Sequence, residues 1–155
     1  MVRVLFVCLG NICRSPMAEA VFMHKVREVG LEWEIEADSA GTGDWHIGSP
    51  PHPGTLRLLA DNAIEYEHLG RQITAADLEE FDYVLAMDNA NLRGIQSLGQ
   101  GKAVVRRFLE YSSNKKVLEV PDPYLTGGFE GVYKLINAAV DGLLAEIRAT
   151  YKFEC

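Results

Sequence analysis

Apolar positions along the chain switch repeatedly between a continuous pattern and a helical one. Val2 to Val7 (VRVLFV) is a nearly unbroken β-branched and aromatic run, the pattern of a strand buried on both faces of a parallel sheet. Ala18, Val21, Phe22, Val26 and Val29 then recur at helical spacing. Pro16 suits the first turn, where a missing N–H costs nothing, and Gly30 closes the helix. Glu34 to Asp38 reads as a second strand, and SAGTGDWHIGSPPHPG as a long Gly- and Pro-punctuated loop without regular structure. Long loops in compact domains often carry function. Pro53 opens a helix through Leu56, Leu59 and Ala60, and Thr74 with Asp77 resembles a capping box before a short one. Tyr83 to Met87 is a third strand, Asp88 a cap for the helix carrying Leu92 and Ile95, and Ala103 to Phe108 a fourth strand. The periodicity lapses over the polar stretch Ser112 to Lys116 and the turn-rich PDPYLTGG. It resumes from Phe129 to Tyr151 as an amphipathic helix with Val132, Leu135, Ile136, Ala139, Leu143 and Ile147 inward.

Strands alternating with helices predict an α/β fold: a single-domain, three-layer α/β/α sandwich around a four-stranded parallel, doubly wound sheet. Such sheets bind ligands beyond the carboxyl ends of their strands, and Cys8 stands at one of those ends. The 155 residues, 48% of them hydrophobic, suffice for one ordinary core. A formal charge of −7 without a basic stripe argues against nucleic acid, which needs a face that neutralises phosphates. No apolar run approaches a membrane span, and Met1 leads straight into a strand pattern, so a cytoplasmic protein with no membrane partner is expected. Three cysteines, Cys8, Cys13 and Cys155, lack metal-type CxxC spacing and suggest neither a disulfide framework nor a zinc site. His46 and His52 share a loop and read as solvated. Clustered His and carboxylate ligands are not apparent, so no metal and no cofactor are expected.

The segment CLGNICRS carries the chemistry. A loop from a strand end into a helix N-terminus aims backbone N–H groups at one point, where the helix dipole also favours negative charge. Gly10 permits a turn that a side chain would resist, and Asn11 tolerates a left-handed backbone while offering side-chain hydrogen bonds. In that field, near Arg14, the Cys8 thiol should lose its proton readily and become a nucleophile. The planar fork of Arg14 matches two phosphate oxygens, and the Ser15 hydroxyl can donate to the sulfur. Cys13 is open to two readings: a buried thiol that packs the loop, or a partner that captures oxidised Cys8. Asp122, bracketed by Pro121 and Pro123, is either a turn residue or a carboxylic acid presented from a stiff loop.

CLGNICRSPMAEAVF, DSAGTGDWHIGSPP, GRQIT, FDYVLAMD and DPY, in that order and over nearly the whole chain, resemble the low-molecular-weight protein tyrosine phosphatases. The resemblance implies that Cys8 attacks phosphorus, Arg14 holds the phosphoryl oxygens and Asp122 is the general acid. It implies a phosphate loop of Leu9, Gly10, Asn11, Ile12, Cys13 and Ser15, supported by a network of Asn11, Ser39 and His68. Trp45 and Tyr124 then form the walls of a substrate pocket to which Ile12 of the loop also belongs, and Cys13 falls on the family's second cysteine. Its implied partners are a tyrosine-phosphorylated protein substrate and a cognate tyrosine kinase, with the protein itself a monomer. Leu125 departs from the pattern, since the family often has a second Tyr there. Three rivals remain. A protein arginine phosphatase resembles this chain but tends to carry Thr where Ile12 stands, and an arsenate reductase would need cysteines between Cys13 and Cys155. An inactive phosphopeptide-binding module would need neither nucleophile nor acid.

Overall fold

The computed structural model describes residues 1–114 and 116–153. Four parallel strands form one sheet in the order β2-β1-β3-β4, with β1 Val2–Cys8, β2 Ile35–Gly41, β3 Tyr83–Ala86 and β4 Val104–Arg107. Parallel neighbours require crossovers, and helices supply them: α1 Arg14–Glu28, α2 Pro53–Asp61, α3 Asp77–Glu80, α4 Asn89–Gln96, α5 Pro123–Thr126 and α6 Phe129–Tyr151. The strand alternation of β1 feeds both faces. Val4, Phe6 and Cys8 point into a core built with α1, α2 and α6, whereas Leu5 and Val7 point to a second one with Leu78 of α3 and Ile95 of α4. Hence the unbroken apolar run. Phe6 meets the edges of Phe22 at 5.6 Å and Phe108 at 5.2 Å, joining α1, the sheet and the segment after β4.

The element boundaries differ from the sequence expectation in four places, two of them for a tertiary reason that the pairing and packing show. The second strand starts one residue later than Glu34 and runs on through Ser39–Gly41, which reads as loop in the sequence; main-chain pairing with Phe6, Val7 and Cys8 holds it extended. The third strand stops before Met87, though Met87 is fully buried. The fourth is shorter than Ala103 to Phe108, because Phe108 turns inward at the start of a 3-10 turn, Phe108–Tyr111, to reach the core. Part of PDPYLTGG is helical: Pro123 opens the single turn α5, and Gly127 ends it with a left-handed φ of 77°. The long C-terminal helix spans the predicted residues, with Leu135 half-buried at its margin and the other five inward residues fully buried.

Helix ends follow the predicted chemistry with one variation. Asp88 caps α4 by accepting the Asn91 N–H at 2.7 Å. Before α3, the Asp77 carboxylate reaches back to the Thr74 N–H at 2.8 Å, the carboxylate half of a capping box. Among the described residues, no helix is long and apolar enough to cross a membrane. The carboxyl ends of β1, β2 and β3 open on one side of the sheet, where the 8–14 loop meets the loop through Val120, whose N–H donates to Met87 O at 2.8 Å.

Candidate active site

Cys8 is the last residue of β1 and Arg14 the first of α1, so five residues curl between a sulfur and a guanidinium. The curl is possible because Asn11 takes a left-handed backbone, φ 57°, which Asn tolerates and most side chains resist. It places the Asn11 N–H on Cys8 Sγ at 3.2 Å. Gly10, expected to supply the turn, serves instead by close approach: a Cβ there would stand 3.0 Å from His46 Cδ2. Neighbouring backbone clamps the curl from outside. Gly43 N–H donates to Leu9 O at 2.9 Å and His52 N–H to Ile12 O at 2.7 Å.

Behind the curl lies a buried polar network. Ser15 Oγ is 3.0 Å from Cys8 Sγ and 3.4 Å from Ala40 O, so its one proton has the sulfur as its nearer partner. Asn11 Nδ2 donates to Ser15 Oγ at 2.9 Å and to Ser39 Oγ at 3.0 Å. Asn11 Oδ1 accepts the Arg71 N–H at 3.0 Å and stands 2.8 Å from His68 Nε2. An amide oxygen only accepts, so His68 carries its proton on Nε2, from which Ser39 Oγ is 3.2 Å away. Burial pushes the His68 imidazole below its ordinary pKa, and Arg71 adds to that. Its Nδ1 faces Glu19 Oε1 and Asp38 Oδ1, each at 3.8 Å. Glu19 accepts the Tyr66 hydroxyl at 2.7 Å, and burial pushes its carboxyl up to about 7.

Glu19, Asp38 and His68 are a correction to the sequence expectation that His and carboxylates are scattered. Their candidate ligand atoms lie within 4.8 Å of one another, brought together from α1, β2 and the segment before Arg71. Asp38 is also held by Arg71 Nε at 2.9 Å, and Arg71 forks onto Asp77 at 3.0 and 3.1 Å. With a guanidinium on one carboxylate and a phenol on another, the group is built as a hydrogen-bond support for the loop.

Arg14 is 3% exposed, a buried charge that must be paired. Its Nη1 donates to Asp88 Oδ2 at 2.7 Å and to Val120 O at 3.0 Å, and Nη2 lies 3.7 Å from Asp122 Oδ2. Burial works against its charge, but Cys8, Asp88 and Asp122 together hold the guanidinium above its ordinary pKa. Cys13 has a different environment. Burial, the Cys8 sulfur and Asp122 push its thiol up to about 12, so it is a neutral thiol near pH 7.

Cys8, Arg14 and Asp122 line a pocket of ≈ 270 Å³ together with Ile12, Trp45 and Tyr124; of these, Cys8, Arg14 and Ile12 are buried. Trp45 is 70% and Tyr124 57% exposed, as residues at an open mouth are. Asp122 caps α5, its Oδ1 accepting the Tyr124 N–H at 3.0 Å, which ties the carboxylate to the backbone of a second pocket-lining residue. Leu9, Gly10 and Cys13 also contribute lining; Ser15, Asn11, Ser39 and His68 stand behind it. Besides the Glu19, Asp38 and Arg71 contacts behind the loop, the roles of His46 and Asp88 are missed in the sequence. His46, expected in solvent, is half-buried and lines the pocket; Asp88, legible as a helix cap, also anchors Arg14. No local pattern carries either signal, because each partner is distant in sequence. Cys155 and the Leu125 side chain lie outside the described residues.

A sulfur and an arginine bracketing a five-residue loop at the end of a parallel strand have the arrangement a cysteine-based oxyanion site needs. Residues 3–152 match the family model for low molecular weight phosphotyrosine protein phosphatases. A low molecular weight protein-tyrosine-phosphatase of Bacillus subtilis, YfkJ, is 48% identical over 151 residues, covering 96% of this chain and 97% of that protein. A low molecular weight phosphotyrosine protein phosphatase of Schizosaccharomyces pombe is 50% identical, covering 84% and 85%. The crystal structure of YfkJ superposes with a TM-score of 0.94 at 47% identity, covering 97% of this chain and 96% of that one. That of a Drosophila arginine phosphatase does so with a TM-score of 0.89 at 35% identity, covering 94% and 97%. The chain belongs to the low molecular weight phosphotyrosine protein phosphatases, which makes it an enzyme of the phosphoric monoester hydrolase class.

Proposed function

We propose that the protein hydrolyses phosphotyrosine in proteins by two in-line displacements on phosphorus. In the first, the Cys8 thiolate forms an S–P bond as the P–O bond to the phenol breaks, and Asp122 gives its proton to the departing oxygen. In the second, Asp122 takes a proton from water, the water oxygen attacks phosphorus, and the S–P bond breaks to return the thiolate. Arg14 clasps two phosphoryl oxygens through both displacements, and Ser15 steadies the sulfur anion as it forms again. The scheme needs no metal and no cofactor. The observation that carries it is the convergence of Cys8, Arg14 and Asp122 on one pocket, with Asp122 Oδ2 3.7 Å from the guanidinium. Trp45 and Tyr124 are suited to hold an aryl ring between them, and Ile12, 8% exposed, gives the pocket an apolar contact for it.

The test is a pair of substitutions. Cys8→Ser should abolish turnover of an aryl phosphate; a fully active variant overturns the nucleophile. Asp122→Ala should lose about 10²-fold or more with phenyl phosphate and much less with p-nitrophenyl phosphate, whose leaving group needs no proton. Equal losses would make Asp122 structural.

One observation supports a second reading: a relative of 35% identity is an arginine phosphatase. Ile12 offers no hydrogen bond to a guanidinium, which favours the aryl substrate. Turnover of phosphoarginine above that of an aryl phosphate would reverse the choice. An arsenate reductase relay has no cysteine to use between Cys13 and Cys155, and a binding module has no use for an acid beside the nucleophile. We further take the enzyme to be a cytoplasmic, single-domain monomer acting on proteins phosphorylated by a cognate tyrosine kinase. Gel filtration tests the oligomeric state.

A further inference from the structure

His52 is where four parts of the molecule meet. It precedes Pro53 and caps α2, its Nδ1 accepting the Gly54 N–H at 2.9 Å, which requires that nitrogen to be unprotonated. Its own N–H donates to Ile12 O at 2.7 Å, in the middle of the phosphate loop. Its ring stacks on Phe129, the first residue of α6, with centroids 5.1 Å apart and planes 28° apart. That approach needs Gly54 to lack a Cβ, since one would stand 2.6 Å from Phe129 Cζ. The same imidazole meets Tyr124 edge-on at 5.9 Å and 87°. His46, over Gly10, meets the Tyr124 ring from another direction at 6.3 Å. Tyr124 in turn donates its N–H to Asp122 Oδ1 at 3.0 Å.

Before Asp122 the chain is anchored by Val120, whose N–H donates to Met87 O at 2.8 Å and whose carbonyl accepts Arg14 Nη1 at 3.0 Å, and Arg14 Nη2 lies 3.7 Å from Asp122 Oδ2; His52 meets the segment that follows. It is one turn of helix ending in a left-handed glycine, and much of the Tyr124 side chain faces solvent. A carboxylic acid must lie within hydrogen-bond reach of the bridging oxygen to protonate it, so a displacement of about 1 Å matters. We infer that His52 is a positioning residue for the reaction: through its ring on Tyr124 and its N–H on Ile12 it fixes Asp122 relative to the phosphate loop. This rests on Asp122 being the acid, as proposed above.

The cap and the ring can be separated. His52→Asn keeps a neutral cap acceptor and removes the ring, whereas His52→Phe keeps a ring and removes the acceptor. The readout is kcat/KM, which reports phenol expulsion, for phenyl phosphate relative to p-nitrophenyl phosphate, with thermal unfolding in parallel. For His52→Asn, melting should change little, and the phenyl phosphate value should fall about tenfold with p-nitrophenyl phosphate held within about twofold. His52→Phe should melt lower yet return the ratio to the wild-type value. A wild-type ratio in His52→Asn overturns the inference, as does an equal fall in both variants. Should His52→Phe fail to fold, Tyr124→Leu must reproduce the His52→Asn ratio, and the double variant His52→Asn/Tyr124→Leu must add nothing to it; an additive loss refutes the ring contact. Asp122→Ala is the control that keeps the two readings apart: its own leaving-group dependence holds whether or not His52 matters.

Discussion

Arg14 is held by Asp88 and a main-chain carbonyl and faces Cys8 and Asp122, so its orientation is fixed by the fold itself, and in the proposed reaction it needs no rearrangement to meet a phosphate. Preorganisation of this kind is where transition-state stabilisation comes from, because no reorganisation is needed at the moment of reaction. A lysine would keep a charge but not the planar fork that spans two oxygens and reaches Asp88 as well. Arg14→Lys should therefore lower kcat by about 10²-fold or more, in line with loss of a transition-state donor. Steady-state kinetics on p-nitrophenyl phosphate measures it, and a loss below about threefold would mean a point charge suffices. Part of this was legible from local order: the cysteine, arginine and serine sit at fixed steps along one strand-to-helix passage. The role of Asp88 was not, since a helix-capping pattern at Asp88 says nothing about a guanidinium 74 residues away.

Two elements meet in Asp88, the start of α4 and the start of α1, and the two uses can be told apart. Asp88→Asn keeps an oxygen for the Asn91 N–H and loses the charge facing Arg14; Asp88→Ala loses both. Activity should fall alike in the two variants. The alanine variant should be less stable than the asparagine variant by about 0.5–2 kcal/mol, the usual worth of an N-cap, as read from urea unfolding. Equal stabilities would mean that the cap contributes nothing here. A second junction joins α1 and β2 to the segment of Tyr66, His68 and Arg71. Glu19, raised from 4.5 to about 7 by burial, binds its proton more tightly folded than unfolded. Its stabilising contribution is complete below pH 4.5 and is lost as pH rises through about 7. Relative to Glu19→Gln, the wild type should therefore lose stability as pH rises across that window. A constant difference in urea midpoint between pH 4.5 and 8 would mean that Glu19 titrates alike in the folded and unfolded chain.

Over the whole molecule the formal charge is −7, so at long range an approaching anion meets a net negative protein. A phosphopeptide is itself anionic, so its flanks decide how strongly it is repelled. At low ionic strength a phosphotyrosine peptide flanked by lysines should show a higher kcat/KM than one flanked by glutamates. The gap should close as salt shortens the screening length from about 30 Å at 0.01 M to about 3 Å at 1 M. A gap that persists in high salt would point to direct contacts with the flanks. The same scale accounts for the changed strand ends. Ser39–Gly41 has the composition of a loop and becomes strand because β1 runs beside it, and Phe108 leaves β4 because the core has room for its ring.

The order and kind of the strands and longer helices, and the passage from Cys8 to Arg14, follow from the chain alone, because apolar period, caps and a strand-to-helix turn are effects of neighbours in sequence. Folding decided what those neighbours meet. The pairing of Arg14 with Asp88, the gathering of Glu19, Asp38 and His68, and the placing of His46 and His52 around Tyr124 join residues tens of positions apart. Distances between such residues depend on how the layers pack, and a linear pattern holds no record of that.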